Sequence, residues 1–200
     1  MSIIFFIKST SVDISKYNIK DLPGSSGRLD LISRCVLAAI TNKNNFEKNV
    51  HIWVFLENYG TFIFDSERFE YDNFPKNELL FSNYFVNLIR NRDSIIKLKD
   101  NPLRAVQISK IGIFEALKQF KDLNYTIFVL NERGEDIFTH FKELRSNKEV
   151  IFVIGSQSGD VINSKDLLAL NFTNVSLGTQ SSYLASSVIR LIKLYLIANL

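Results

Sequence analysis

Four stretches of the chain combine residue types that could hold or act on a ligand. The first is Asp21-Leu22-Pro23-Gly24-Ser25-Ser26-Gly27-Arg28-Leu29-Asp30-Leu31-Ile32-Ser33-Arg34-Cys35-Val36. Small residues lead into a helical pattern, and Ser25 or Ser26 stands where an N-cap belongs. Such a helix N-terminus presents backbone donors to an anion. Arg28 in the first turn adds a planar fork suited to a phosphate or a base edge. Asp30 and Arg34 are i, i+4 neighbours that also fit a simple surface pair, worth about 0.3–0.5 kcal/mol. On pattern alone the segment reads first as a capped helix and second as a phosphate site.

The other three stretches are loops that follow apolar runs. They are Leu130-Asn131-Glu132-Arg133-Gly134-Glu135-Asp136, Ile154-Gly155-Ser156-Gln157-Ser158-Gly159-Asp160 and Ser176-Leu177-Gly178-Thr179-Gln180-Ser181-Ser182-Tyr183. In an open α/β sheet ligands bind beyond the carboxyl ends of strands, where such loops offer backbone N–H and C=O groups to an adenine or a ribose. For any one loop a glycine that permits positive φ at a strand end is explanation enough. Three together strengthen the ligand reading without deciding it.

Other chemistries find little support. Neither G-x-G-x-x-G nor the P-loop pattern occurs, and Gly155-Ser156-Gln157-Ser158-Gly159 has Gln where a nucleophile elbow needs Ser. The single cysteine, Cys35, lies mid-helix as a small hydrophobe, and His51 and His140 have no Ser or Cys partner in the pattern. One Cys and two His argue against a zinc or other multi-ligand metal site. With 46% hydrophobic and 22% charged residues the chain has the balance of a globular protein, which excludes disordered and fibrous classes. A net charge of +3 permits a nucleic-acid partner without arguing for one. The apolar N-terminal run ends at Lys8 with no cleavage pattern, and the C-terminal apolar stretch is interrupted by Arg190 and Lys193. A cytoplasmic protein with no membrane span is expected.

Alternating elements must position these loops. Short β-branched and aromatic runs at 3–7, 50–56, 61–64, 125–130, 150–154 and 174–177 read as strands. Helical spacing covers 26–40, 78–99, 109–122 and 183–197. This order predicts one α/β domain with a mostly parallel sheet. The region 73–102, rich in charge and asparagine, reads as a loosely ended helix and as part of an insertion around 66–102.

The run Asp21-Leu22-Pro23-Gly24-Ser25-x-Gly27-Arg28-Leu29-Asp30-Leu31, followed by Arg34-Cys35-Val36, resembles the N-terminal signature of archaeal tRNA pseudouridine-54 N1-methyltransferases, members of the knotted SPOUT class. Leu130-Asn131-x-x-Gly134-Glu135-Asp136, Phe152-Val153-Ile154-Gly155 and Ser176-Leu177-Gly178 extend the resemblance along the chain, whereas 44–102 matches poorly. The resemblance implies a single domain over 1–200 whose C-terminal segment forms a trefoil knot. It also implies a homodimer and S-adenosyl-L-methionine as methyl donor to N1 of pseudouridine in tRNA. Leu130, Gly155, Leu177, Gly178 and Ser187 are carried over as the donor site. Arg28 and Arg34 are carried over for RNA, and Asp30 with Arg28 for catalysis. The chain departs from the family at Ser156-Gln157, where relatives carry Asp-His, and at Leu184-Ala185-Ser186-Ser187, where they carry a polar run with His and Cys. Alternatives are a catalytically weakened dimeric RNA-binding module, a methyltransferase of pseudouridine in ribosomal RNA, and a flavodoxin-like nucleotide binder.

Overall fold

A computed structural model of the chain describes residues 2–140, 144, 149–155, 164–178 and 183–197. In chain order the elements are β1 (Ser2–Ser9), the short α1 (Leu22–Ser25), α2 (Leu29–Ile40), β2 (Val50–Leu56), β3 (Gly60–Asp65), α3 (Glu78–Asn91) and β4 (Gln107–Ser109). They continue with α4 (Ile113–Asp122), β5 (Thr126–Asp136), β6 (Glu149–Ile154), α5 (Lys165–Ala169), β7 (Thr173–Ser176) and α6 (Ala185–Ile197).

Among the described residues one seven-stranded sheet runs in the order β4-β3-β2-β1-β6-β5-β7. The pairs from β2 through β7 are parallel, and β3 and β4 extend one edge as antiparallel strands. Parallel strands covered on both faces should be apolar through their middle, and β1 is from Ile3 to Ile7. Its Ile3, Phe5 and Ile7 point into one core, and Ile4 and Phe6 into the other. The larger core takes α2, α3 and α6; the smaller takes Ile113, Ala116 and Leu117 of α4 and Leu167 of α5. The molecule is therefore a helix–sheet–helix sandwich.

The helix expected at 26–40 forms as α2 with its buried stripe Leu29, Ile32, Val36 and Ile40, but residues 22–25 make a separate turn before it. The helix expected at 78–99 ends at Asn91 and that at 109–122 begins only at Ile113, because residues 107–109 pair with β3. Between β3 and β4 the chain leaves the sheet and returns. That excursion is fastened by phenylalanines: Phe74 and Phe81 lie 5.8 Å apart, and Phe85 meets Phe62 at 5.0 Å and Phe64 at 5.4 Å.

Lys193 is buried in α6, where its ammonium donates to Ala38 O and Thr41 O, both at 2.9 Å, and lies 3.4 Å from Glu47 Oε2. A cation on the last carbonyls of α2 complements the helix dipole. It also fixes the late turns of α6 beside the end of α2.

Candidate functional site

The register of the parallel strands brings the described starts of the three small-residue loops to one edge. Ile154 of β6 pairs with Ile7 of β1, Val129 of β5 with Val153, and Leu130 with Val175 of β7. Gly155 follows its strand by one residue, and Leu177 and Gly178 follow Val175 closely. Leu130 and Leu177 are half-buried and pack on the larger core, giving apolar walls beside exposed main chain. Strand β5 departs from the ladder after Leu130 and rejoins it at Glu135, both residues standing opposite Val175. Gly134 lies in that detour, where a Cβ would come within 2.6 Å of Asn174 C and Val175 N.

Gly178 is constrained twice. Its φ of 76° is in the left-handed region, and a Cβ there would sit 3.1 Å from Asp136 Oδ2. Asp136 is itself fixed, its Oδ1 accepting from Phe138 N at 3.0 Å. Asp136 stands in a quoted sequence stretch but was not singled out there; only the strand register reveals that it faces Gly178. Residues 156–160, including Ser156 and Gln157, lie outside the described residues.

The second group of residues is built on the entry to α2. Gly27 and Arg28 are both left-handed, with φ of 56° and 71°. These two residues turn the chain so that Ser11 Oγ donates to Gly27 O at 2.9 Å and Asp13 N to Ser26 O at 3.2 Å. A Cβ at Gly27 would strike Ser11 O at 1.8 Å. Neither serine expected to cap the helix is its N-cap, which is Arg28 with no side-chain cap; Ser26 Oγ accepts from Leu29 N at 3.1 Å from two residues further back, while Ser25 bonds to Asn18 and Asp21.

Asp30 does not form the exposed pair that its spacing first suggests. It is only 3% exposed and receives Arg28 Nε on Oδ1 at 3.1 Å, Arg28 Nη2 on Oδ2 at 3.3 Å and Arg34 Nη2 on Oδ2 at 2.9 Å. The Asp30 carboxylate raises the pKa of Arg28 still further, mainly through these hydrogen bonds. Arg34 Nε also lies 3.1 Å from Glu78 Oε2 at the start of α3, although not in hydrogen-bonding geometry. The two guanidiniums remain 45% and 34% exposed above a buried carboxylate. Two arginines held in fixed orientation at the surface can meet phosphates or a developing negative charge.

Both groups stand on the same edge of the sheet. Ile7 lies beside Ile154, the Ser9 and Ser11 hydroxyls beyond it are 3.3 Å apart, and Ser11 holds Gly27. Ser187 is half-buried in the first turn of α6, where its N–H donates to Leu184 O at 2.8 Å. Cys35 is buried among apolar neighbours, and that burial pushes its thiol up to about 12, a structural environment. His140 pairs with Glu135 at 2.9 Å, and His51 lies 3.5 Å from Asp65. Among the described residues no three His, Cys, Asp or Glu side chains gather as metal ligands, and no helix is long and apolar enough to cross a membrane.

A family model described as "Putative SAM-dependent RNA methyltransferase" matches residues 1–198. The chain belongs to that family. This RNA methyltransferase is 26% identical over 205 residues to the tRNA (pseudouridine(54)-N(1))-methyltransferase of Thermococcus onnurineus, an alignment covering 96% of this chain and 95% of that protein. To the enzyme of the same name from Pyrococcus abyssi it is 27% identical over 206 residues, 96% of either chain. In fold the methyltransferase resembles Archaeoglobus fulgidus Nep1 bound to S-adenosylhomocysteine, with a TM-score of 0.65 at 16% identity over 99% of this chain and 100% of that one. The family's methyl donor is S-adenosyl-L-methionine. An edge of half-buried leucines and close-packed glycines suits such a nucleoside ligand.

Proposed function

We propose that the protein methylates N1 of pseudouridine 54 in the T-loop of tRNA. The observation that carries this reading is that relatives aligned over 96% of the chain bear that activity in their names. Leu130 and Leu177 are assigned as apolar walls for the adenosyl group, Gly155 and Gly178 as backbone contacts, and Ser187 as a polar contact from α6. When bound, the sulfonium donor supplies an electrophilic methyl group, so an N1–C bond forms as the S–C bond breaks and the N1 proton is released. The protein then has to orient N1 and stabilise the charge left as that proton departs.

Arg28 is assigned to that charge and Arg34 to an RNA phosphate. Asp30 holds both guanidiniums in place and, on opening one of those bonds, accepts the N1 proton. The chain acts as a single domain over 1–200 with a variable insertion around 66–102, without a metal ion, in the cytoplasm. The same reading includes a trefoil knot made by the C-terminal segment. The outward side of α6, where Leu194 is 60% exposed and Tyr195 meets Phe138 edge-to-face with ring centroids 4.6 Å apart, supports a homodimer contact.

The test is nucleoside mass spectrometry of tRNA carrying pseudouridine 54 after incubation with the protein and S-adenosyl-L-methionine. N1-methylpseudouridine above control is expected, and its absence sinks the reading. Tight tRNA binding without methylation would instead place the protein as a weakened RNA-binding module, the reading favoured by Ser186-Ser187 standing where the resembled family carries His and Cys. Methylation of ribosomal RNA in place of tRNA would move the target.

A further inference from the structure

Beyond α3 the chain makes a short tip, residues 92–101, whose apolar side chains point outward. Ile95 is 90% exposed and Ile96 is 88% exposed. Single exposed hydrophobic residues are ordinary, but two adjacent β-branched ones at almost full exposure are not explained by composition. The tip is held from beneath. Leu98 is buried, Ser94 N donates to Asn91 O at 2.8 Å, and Leu98 N donates to Ile95 O at 3.2 Å. Buried Asn101 donates to Tyr84 O at 3.0 Å and Asn87 Oδ1 at 2.9 Å, and accepts from Leu103 N at 2.8 Å. A fixed base thus presents the isoleucines to solvent.

The tip is also placed and charged. Arg92 donates to Tyr59 O, and Arg90 Nη2 to Ile14 O at 2.8 Å; Ile14 N in turn donates to Tyr59 Oη at 3.1 Å. These bonds fasten the tip to the turn between β2 and β3 and the end of α3 to the loop after β1, the same loop whose Ser11 supports Gly27. Exposed Lys97 and Lys99 follow the isoleucines directly, and exposed Arg92 and Arg104, bonded to Tyr59 O and Lys99 O, stand before and after them in the chain; these four cations outnumber Asp93 and Asp100. Two side chains offer far too little area for a stable protein interface, which needs about 1,000 Å². Two aliphatic side chains can still bury apolar surface against the faces of unpaired bases, with flanking cations on the phosphates.

We infer that this tip is a second RNA contact, with Ile95 and Ile96 packing on exposed bases of the substrate while Lys97 and Lys99 meet its backbone. The inference rests on the proposed tRNA reading. The test is tRNA binding by the full chain, titrated at several salt concentrations. Ile95→Ser combined with Ile96→Ser is expected to weaken binding about tenfold with the salt slope unchanged. Lys97→Gln with Lys99→Gln is expected to reduce the slope. Thermal melting and S-adenosylhomocysteine binding should stay as in the wild type. Ile96→Trp should keep tight binding, its added fluorescence quenched by tRNA. Unchanged tRNA affinity in the double serine variant overturns the inference. So does a lowered sedimentation mass of that variant, or a response of Ile96→Trp to anionic vesicles and not to tRNA. A wild type that binds tRNA but forms no N1-methylpseudouridine sinks the proposed activity and leaves the tip to its own binding test. A wild type that methylates while the double serine variant binds normally sinks the tip alone.

Discussion

Arg28 combines strain and charge in one residue. It sits at φ 71°, a conformation that costs a non-glycine residue about 1 kcal/mol, and its guanidinium is fixed on buried Asp30. Arg28→Ala keeps the strained backbone and removes the fork. We expect methylation kcat/KM to fall at least about tenfold with tRNA binding weakened, measured with matched melting curves; unchanged binding and methylation would remove Arg28 from the site. Lys193 is the opposite case, a residue that sequence reading treated only as an interruption of an apolar helix. Burial lowers its pKa, an effect that Glu47 partly opposes. Between that lowered value and 10.5 the unfolded chain binds more protons than the folded one, so the contribution of Lys193 to stability rises with pH across this window. Lys193→Met leaves Glu47 and two helix-end carbonyls without their cation and should destabilise the fold by about 3 kcal/mol at neutral pH. Denaturant melts from pH 8 to 10.5 should show the penalty growing as pH rises.

At the scale of elements, periodicity located β2 to the residue and most of α2, because both are long or strongly patterned. It missed β4, whose three residues form a strand only by pairing with β3, and it extended α3 past Asn91 because the tip continues an apolar pattern. Of the candidate site, the small-residue loops were legible because glycines after apolar runs mark strand ends. The pairing of Gly178 with Asp136 was not, since the two are brought together by the register of β5 and β7. Gly178→Ala would force a side chain into a left-handed position against a carboxylate. A cost of about 1–2 kcal/mol is expected. Calorimetry should report S-adenosylhomocysteine binding weakened about tenfold while Gly112→Ala, where a Cβ meets nothing, binds normally.

For the whole molecule, ligand binding should stabilise the fold by mass action. S-adenosylhomocysteine at 100 times its Kd should add about 2.7 kcal/mol, read as a rise in Tm, and no shift would argue against the donor site. The proposed dimer predicts that Leu194→Glu lowers the sedimentation mass to that of a monomer. Its own folding should change little, because Leu194 is already exposed in the single chain. The sequence by itself determined the class of fold, the order of strands and helices along the chain, and the Gly27-Arg28-Leu29-Asp30 signature, since each is written in local periodicity and residue type. Tertiary structure alone decided that Asp30 is buried between two arginines, that Lys193 closes α2, and that loops up to 48 residues apart in sequence meet at one edge. Burial and strand register depend on contacts between distant residues, and no local pattern encodes them.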